Sequence, residues 1–197
     1  MADSQPLPQP LVVGIGGTIG SISSTERALR IALDAACEKG FRTRMFGGAE
    51  MARLPLYDPR AAQRTREEQE FVAAVREASA VIIASPGYHG SISGVVKNAL
   101  DCLEETARDV DRPYLADMPV GLIATAYGWQ ATGSTIAALR SIVHALRGWP
   151  TPFAAAINTQ LTKFDDAGGA SDPAVFEQLR LVGHQVARFA PLARHDG

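Results

Sequence analysis

Short apolar runs alternate with amphipathic helical patterns along most of the chain. Residues 11–16 are apolar and include β-branched side chains, and over 25–40 apolar residues recur every three or four positions. The first pattern predicts a buried strand and the second a helix. Because five such strands alternate with five helices through short connections, the chain is expected to form a parallel sheet covered by helices on both faces. The prediction is an α/β protein of three layers.

The remaining elements follow the same alternation. Strands are predicted at 41–46, 80–85, 120–125 and 153–157. Helices are predicted at 64–78, after the segment 85–91, at 132–146 and at 173–189, with a loop over 47–59. The last helix carries Pro173 in its first turn, where a missing N–H costs little.

Length and composition limit the classes of protein to consider. The 197 residues suit one domain, expected at 11–190, with a flexible N-terminal extension at 1–10 and a C-terminal tail at 191–197. A net charge of −2 argues against nucleic acid as a partner. The chain has no apolar run near the roughly 20 residues of a membrane span, and 1–10 is unlike a signal sequence. A cytoplasmic protein is expected, with Cys37 and Cys102 both packed in the core.

The loop after the first strand is rich in hydroxyl groups. In open α/β sheets, ligands bind outside the carboxyl ends of the strands. This loop precedes a predicted helix N-terminus, whose N–H groups suit a phosphate monoester. Its hydroxyls belong to Thr18, Ser21, Ser23, Ser24 and Thr25. The alternative is that Ser24 or Thr25 only caps the helix.

Two familiar phosphate-binding fingerprints do not fit this loop. The dinucleotide pattern GxGxxG, started at Gly14, requires glycine where the chain has Ile19. It also expects an acidic residue after the second strand, and none occurs at 44–48. A P-loop requires Gly-Lys-Ser/Thr, but the first lysine is Lys39. Both sites are therefore excluded, and a mononucleotide is favoured.

The loop after the third strand reads SPGYHGS, residues 85–91. Gly87 and Gly90 have no Cβ, so a ligand can approach their backbone closely, and Tyr88 and His89 offer an aromatic face and a polar edge. A tight turn with exposed aromatic side chains is the alternative. An esterase nucleophile motif framed on Gly90 and Gly94 fails, since its serine position is Ile92.

These residues carry a resemblance to a known family. SPGYHGS, followed by Ser93-Gly94 and KNALD at 97–101, resembles the P-x-Y-x-x-S-x-x-x-x-K-N-x-x-D segment of the NADPH-dependent FMN reductases. The resemblance covers most of the chain and implies a flavodoxin-like sandwich with a five-stranded parallel sheet of order 2-1-3-4-5. It also implies FMN as cofactor, with its phosphate in the first loop. Ile19 corresponds to the arginine of the family's S-x-R pattern.

The loop over 125–133 resembles the family's third flavin-side loop. The resemblance implies hydride transfer by ring stacking, with no certain catalytic side chain, while Tyr127 and Trp129 line the acceptor pocket. No metal is expected, since the histidines lack ligand spacing. The cofactor-binding residues that it implies are Gly17, Thr18, Ser21, Ser23, Ser24, Thr25, Pro86, Gly87, Tyr88, His89, Gly90, Ser91, Thr125, Ala126, Tyr127, Gly128 and Trp129.

The activity that follows is an NAD(P)H-dependent FMN reductase. NADPH or NADH is the hydride donor, and electrons pass to a small-molecule acceptor such as free flavin or a quinone, with a flavin-dependent monooxygenase as a further partner. A homodimer or tetramer is implied, in which Asn98 supports the flavin loop or a subunit contact. The alternative function is a flavodoxin-like electron carrier without its own NAD(P)H turnover.

Overall fold

A computed structural model describes residues 9–20, 23–165 and 167–190. Its strands are β1 (Leu11–Gly16), β2 (Arg42–Phe46), β3 (Ala80–Tyr88), β4 (Ser91–Ile92), β5 (Pro119–Ala126) and β6 (Trp149–Asn158). Its helices are α1 (Ser24–Cys37), α2 (Gly48–Met51), α3 (Arg66–Glu77), α4 (Gly94–Asp101), α5 (Trp129–Ala145) and α6 (Pro173–Phe189), with a 3₁₀ turn at Cys102–Thr106. Most of the predicted extension and the tail at 191–197 lie outside the described residues.

The main sheet has five parallel strands in the order β2-β1-β3-β5-β6. This confirms the predicted flavodoxin-like order, because the five strands keep the same sequence of neighbours. The count of strands differs, since β4 adds an antiparallel strand to the end of β3. The extra strand arises because residues expected to form an open loop after the third strand fold back as a hairpin.

Two apolar layers hold the helices against the sheet. Val12 and Ile82 face α1 and α6, whereas the neighbouring Val13 and Ile83 face the side covered by α3, α4 and α5. Successive residues of a strand point to opposite faces, so a strand buried on both faces reads as a continuous apolar run. The sheet is thereby fixed between two helical layers, and its carboxyl edge stays open to carry a site.

Polar caps set where the helices begin. Ser23 caps α1, since its side chain accepts a hydrogen bond from the Glu26 N–H, and Asp172 caps α6 in the same way ahead of Pro173. Neither Ser24 nor Thr25 is the cap; the boundary lies one residue earlier. The short helix α2 falls in the segment predicted to be a loop, where a single turn is too brief to leave a periodic pattern.

Two predictions about side-chain burial meet different outcomes. Cys102 is buried, as expected, but Cys37 is exposed at the last turn of α1. Cys37 follows Ala36, which occupies the buried stripe, so the thiol points away from the sheet. Within the part of the chain that the structure describes, no helix is both long and apolar enough to cross a bilayer.

Candidate functional site

The carboxyl ends of the parallel strands lie side by side at one edge of the sheet. Gly16 at the end of β1 pairs with Ala84 of β3, and Pro86 further along β3 pairs with Thr125 of β5. The strands come close there, because a Cβ on Gly16 would lie only 2.3 Å from the Ala84 carbonyl oxygen. The three loops expected to form a site therefore leave the sheet at adjacent positions.

The first loop is held against the segment after β2 by closely packed glycines. Gly17 is buried with φ +133, a conformation that favours glycine. A Cβ on Gly48 would lie 1.7 Å from the Thr18 carbonyl oxygen, so the two backbones are in direct contact. This packing fixes the path of residues 17–18, and Thr18 itself stays partly exposed.

The hydroxyl groups predicted to hold a phosphate are not all available for one. The Ser23 hydroxyl is buried in the cap of α1, 3.2 Å from the Glu26 nitrogen. The hydroxyl oxygens of Thr25 and Thr125 are hydrogen-bonded to each other at 2.6 Å, and both residues are buried. Ser21 lies outside the described residues. Thr18 in the loop and Ser24 in the first turn of α1 remain partly exposed.

The second loop is a β-hairpin. Gly87 pairs with Ile92 and Tyr88 pairs with Ser91, with His89 and Gly90 at the tip. Both tip residues have positive φ, 48° and 87°, as a type I′ turn requires. Tyr88, His89, Gly90 and Ser91 are exposed, whereas Pro86 is buried. The tip is therefore the exposed part of this segment, and strand pairing holds the backbone behind it.

Gly87 has a packing role that the sequence did not indicate. A Cβ at Gly87 would lie 2.7 Å from the Thr135 hydroxyl oxygen and 3.1 Å from the Ala131 carbonyl oxygen, both on α5. The missing side chain thus lets the hairpin pack on α5. At Gly90 a Cβ would meet nothing within 4 Å, so that glycine is explained by its backbone conformation alone.

The third loop joins β5 to α5 through Tyr127 and Gly128. Ala126 ends the strand and its carbonyl accepts hydrogen bonds from the backbone and the hydroxyl of Thr159. Gly128 is the N-cap of α5 and has no side chain to satisfy the first N–H groups of that helix. Trp129 begins α5 at the same edge of the sheet.

Large apolar side chains are exposed along this edge. The exposed fractions are 66% for Ile19, 52% for Tyr88, 74% for Tyr127, 59% for Trp129 and 68% for Leu161, which lie at or after the carboxyl ends of β1, β3, β5 and β6. Clustered exposed apolar groups mark binding surfaces more often than single ones do. The three predicted loops thus share one apolar rim, and Leu161 extends it in a way that the sequence did not indicate.

The charges near the first loop are mostly paired with each other. The Glu26 carboxylate accepts a hydrogen bond from the Gly48 N–H at 3.2 Å and lies 3.9 Å from the Arg30 guanidinium. On β2 and α2, the hydrogen bond from Arg44 holds the pKa of Glu50 below its ordinary value. Among the described residues no cluster of three His, Cys, Asp or Glu side chains is placed to hold a metal ion.

Several supporting residues could not be identified from the sequence. The Ser85 hydroxyl accepts from the Ser93 N–H at 3.0 Å and donates to the Pro86 carbonyl, which ties the hairpin to the start of α4. Asn98 was expected to support the flavin loop or a subunit contact. In the structure it binds the segment before α3, donating to the Pro55 carbonyl and accepting from the Tyr57 N–H, both at 2.9 Å. These contacts join residues distant in sequence, so no local pattern marks them.

Comparisons with known proteins agree with this arrangement. The family model described as NADPH-dependent FMN reductase matches residues 10–162. A protein of Staphylococcus haemolyticus named FMN-dependent NADPH-azoreductase is 31% identical over 123 residues, 61% of this chain and 61% of its own. The protein of the same name from Staphylococcus saprophyticus is 38% identical over 99 residues, 50% of this chain and 48% of its own. The alignments therefore span only about half to three-fifths of these relatives.

Solved structures share the fold. The flavoenzyme NAD(P)H:(acceptor) oxidoreductase FerB from Paracoccus denitrificans superposes with a TM-score of 0.75 at 17% identity, covering 93% of this chain and 98% of that one. The apo form of the NADH:FMN oxidoreductase EMOB has a TM-score of 0.69 at 20% identity, covering 93% and 90%. At such identities the likeness shows a common architecture alone.

Proposed function

The chain belongs to the NADPH-dependent FMN reductase family, and from that membership we propose that it binds FMN at the carboxyl edge of its sheet and reduces it with NADPH or NADH. The observation that carries the proposal is the apolar rim of Tyr88, Tyr127 and Trp129 beside the N-terminus of α1. FMN needs both features, because its flat ring system packs on aromatic side chains and its phosphate binds at a helix N-terminus. When bound, it supplies a ring that takes a hydride from the nicotinamide and gives electrons to an acceptor.

The geometry of the edge fits the ring end of a flavin. The hairpin tip at His89 and Gly90 is exposed, so its backbone polar groups can contact the edge of a ring. Tyr88 at the end of β3 and Tyr127 just after the neighbouring β5 offer aromatic surface next to it. Positioning two rings at contact distance is the main task of the protein in hydride transfer, so no acid or base side chain is assigned.

The proposed acceptor is a small aromatic molecule, because the side chains of the rim are exposed and such a molecule can reach them. The relatives named azoreductases support an azo compound as the acceptor, and we propose a quinone as the alternative. Trp129 extends the aromatic surface beyond Tyr127, and we assign these two side chains to the face where donor and acceptor bind in turn. We also propose that reduced flavin can pass from this protein to a flavin-dependent monooxygenase.

We further propose that the protein is a homodimer in the cytoplasm. Leu56 is 86% exposed although Asn98 holds the backbone on both sides of it. On α4 the nearby ion pair of Lys97 and Asp101 is exposed and carries both signs, so this surface can pair with a copy of itself across a two-fold axis. Both cysteines are free, as is usual in a reducing compartment. Sedimentation of the unaltered chain and of Leu56→Asp tests this: a dimer that dissociates in the variant supports it, and a monomeric unaltered chain contradicts it.

Absorbance at 340 nm tests the reductase directly. Purified protein with FMN and an azo dye is expected to oxidise NADPH or NADH at a rate proportional to protein concentration and to bleach the dye. The matched variants are Trp129→Ala, which removes rim surface, and Trp149→Ala, which removes an equally exposed indole at the opposite end of the sheet. Flavin binding without nucleotide oxidation would instead identify an electron carrier.

A further inference from the structure

The tip of the hairpin after β3 holds a histidine in an uncommon backbone conformation. His89 has a φ of 48° and Gly90 a φ of 87°. Positive φ is uncommon for a residue with a Cβ, and Asn-Gly and Asp-Gly are the usual pairs in a type I′ turn. Residues held in such conformations cluster at functional sites. The turn geometry alone therefore does not explain a histidine at this position.

The imidazole of His89 is not used to hold the fold together. The residue is exposed, and its ring makes no hydrogen bond or ion pair with the described part of the chain. His184 on α6 differs, since its Nε2 lies 4.0 Å from the Glu38 carboxylate. An exposed imidazole at the carboxyl edge of the sheet can give a proton to a ligand bound there.

No other side chain of the hairpin or the third loop changes its charge near neutral pH. Residues 85–96 and 118–139 contain no aspartate, glutamate, lysine or arginine, and His89 is their only histidine. Histidine is the side chain that ordinarily changes charge between about pH 5 and 8. The neighbouring Tyr88 and Tyr127 carry phenols, and a phenol does not ordinarily ionise in that range. His89 is thus the acid that these two segments offer.

The charged groups on the adjacent elements are bound elsewhere. On α4, the Lys97 ammonium pairs with the Asp101 carboxylate. On α5, the Arg140 guanidinium donates to a backbone carbonyl of β6 at 3.1 Å, and the other titratable group is the exposed His144 in the last turn. On the loop after β6, the Lys163 ammonium donates to a backbone carbonyl of its own loop at 2.7 Å. The charge of His89 therefore depends mainly on the pH and on the bound ligand.

The proposed reaction consumes a proton that the nicotinamide does not supply. A hydride carries two electrons and one proton. Reduction of an azo bond to a hydrazo bond takes up two electrons and two protons, one on each nitrogen. Hydride transfer through the flavin accounts for both electrons and one proton, so a second proton must come from an acid. An acid positioned at the reacting atom accelerates such a step.

We propose that the imidazolium of His89 donates this second proton to the acceptor, which makes His89 a catalytic residue of acceptor reduction. The inference rests on the proposed function, because both concern the carboxyl edge. One N–H bond of the imidazolium breaks as the second N–H bond of the hydrazo product forms, and solvent then protonates the neutral imidazole again. Tyr88 and Tyr127 hold the aromatic acceptor beside the tip.

Measuring the two half-reactions separately tests the inference. The flavin-loaded protein is reduced with NADPH without oxygen and is then mixed with the azo dye methyl red. Reduction of the dye at pH 6 is expected to slow about 100-fold in His89→Asn, the lower end of what a general acid contributes. Bleaching of the flavin by NADPH should be unchanged. Asparagine suits the turn, and His144→Asn at an exposed position of α5 is the matched control.

The dependence on pH distinguishes an acid from a residue that only shapes the turn. In the unaltered chain the rate of dye reduction should fall as the pH rises through about 5 to 8, because the imidazolium loses its proton there. In His89→Asn the rate should be low at every pH. In His89→Gly, where glycine keeps the positive φ, added imidazole should restore part of the rate.

Proton NMR of the imidazole rings gives a measurement without turnover. The ring C–H signal that is missing in His89→Asn belongs to His89, and the one missing in His144→Asn belongs to His144. When methyl red is added to the protein loaded with oxidised FMN, the His89 signal should shift. The His144 signal should stay in place, since it lies near the opposite end of α5.

The outcomes separate this inference from the proposed function. Slow dye reduction in His89→Asn, with the expected pH dependence and a shifted His89 signal, supports it. Unchanged dye reduction in His89→Asn, or a His89 signal that does not respond to the dye, overturns it and leaves the reductase standing. Equal slowing of both half-reactions also overturns it, because His89 would then act on flavin binding. A flavin that NADPH and NADH do not bleach overturns the inference together with the proposed function.

Discussion

The hydroxyl oxygens of Thr25 and Thr125 lie 2.6 Å apart in the interior, and they join the N-terminus of α1 to the carboxyl end of β5 across β3. Two of the three loops at the open edge are therefore linked by a buried hydrogen bond. The same bond removes from the site two hydroxyls that the sequence assigned to it. The bond holds the two loops in place, and it leaves fewer hydroxyl groups free to donate to a phosphate.

Removing one of these hydroxyls should destabilise the protein. Thr25→Val leaves the Thr125 hydroxyl buried without its partner, so the free energy of unfolding is expected to fall by about 1–3 kcal/mol in urea titrations. Thr25→Val combined with Thr125→Val should cost less than the sum of the two single changes, because no unpaired hydroxyl remains. Exposed Thr43→Val on β2 is the control. Strict additivity of the two changes would show that the bond contributes nothing.

Substitution of Gly87 should mainly lower the stability of the folded protein. A Cβ there meets α5 at 2.7 Å from the Thr135 hydroxyl oxygen, so Gly87→Ala is expected to cost about 1–3 kcal/mol by overpacking. Gly94→Ala, at the start of α4, is the control, since a Cβ there meets nothing within 4 Å. Thermal unfolding of the two variants gives the comparison. Equal melting temperatures would contradict the packing role given to Gly87.

The two contacts of Asn98 should protect the segment at Pro55–Tyr57 from local opening. Asn98→Ala removes a donor to the Pro55 carbonyl and an acceptor for the Tyr57 N–H, and Asn98→Asp keeps only the acceptor. Hydrogen exchange of the Tyr57 amide is expected to accelerate strongly in Asn98→Ala and less in Asn98→Asp. Identical exchange in all three proteins would show that other contacts hold the segment.

The two cysteines should differ in reactivity. Burial raises the pKa of the Cys102 thiol from its usual value of 9.0 to about 11, so it stays protonated at pH 8, while Cys37 is exposed. Since the thiolate is the nucleophile, a disulfide reagent at pH 8 should titrate one thiol in the native protein and two in denaturant. Cys37→Ser should abolish the native reaction. Rapid modification of two thiols in the folded chain would contradict this.

The same shift has a consequence for stability at high pH. The folded-state pKa of Cys102 is above the unfolded value, so its contribution to the free energy of unfolding is complete below about pH 9 and is lost as the pH rises towards 11. Cys102→Ala should remove that part of the pH dependence. An unchanged slope between pH 9 and 11 in the variant would assign the loss to other groups.

The main sheet could be predicted because its strands are buried on both faces. Residues 11–16 and 80–84 form almost unbroken apolar runs, and the helices between them carry a regular stripe. The hairpin could not, since β4 has only two residues and follows a turn that needs positive φ at His89, an uncommon conformation for that residue. The local sequence pattern indicates neither the two-residue strand nor the positive φ at His89.

The positions of the three loops were predicted from the order of the strands, but their hydrogen bonds were predicted only in part. The loops and the aromatic rim lie where the order of the strands places them. The hydrogen-bond partners of the hydroxyls could not be predicted from the sequence. The Ser23 and Thr25 side chains have the same chemistry whether they bind a phosphate or another residue of the protein. The packing of Gly87 could not be predicted either, because its neighbour Thr135 belongs to a later helix, which no short motif includes.

Anaerobic mixing of the flavin-loaded protein with NADPH, followed at 450 nm, is the most direct test of a flavin reductase at the carboxyl edge. Bleaching of the flavin absorbance is expected at a rate that saturates with nucleotide, and it should slow in Trp129→Ala but not in Trp149→Ala. A flavin that stays bound and is not bleached by NADPH or NADH would contradict the account.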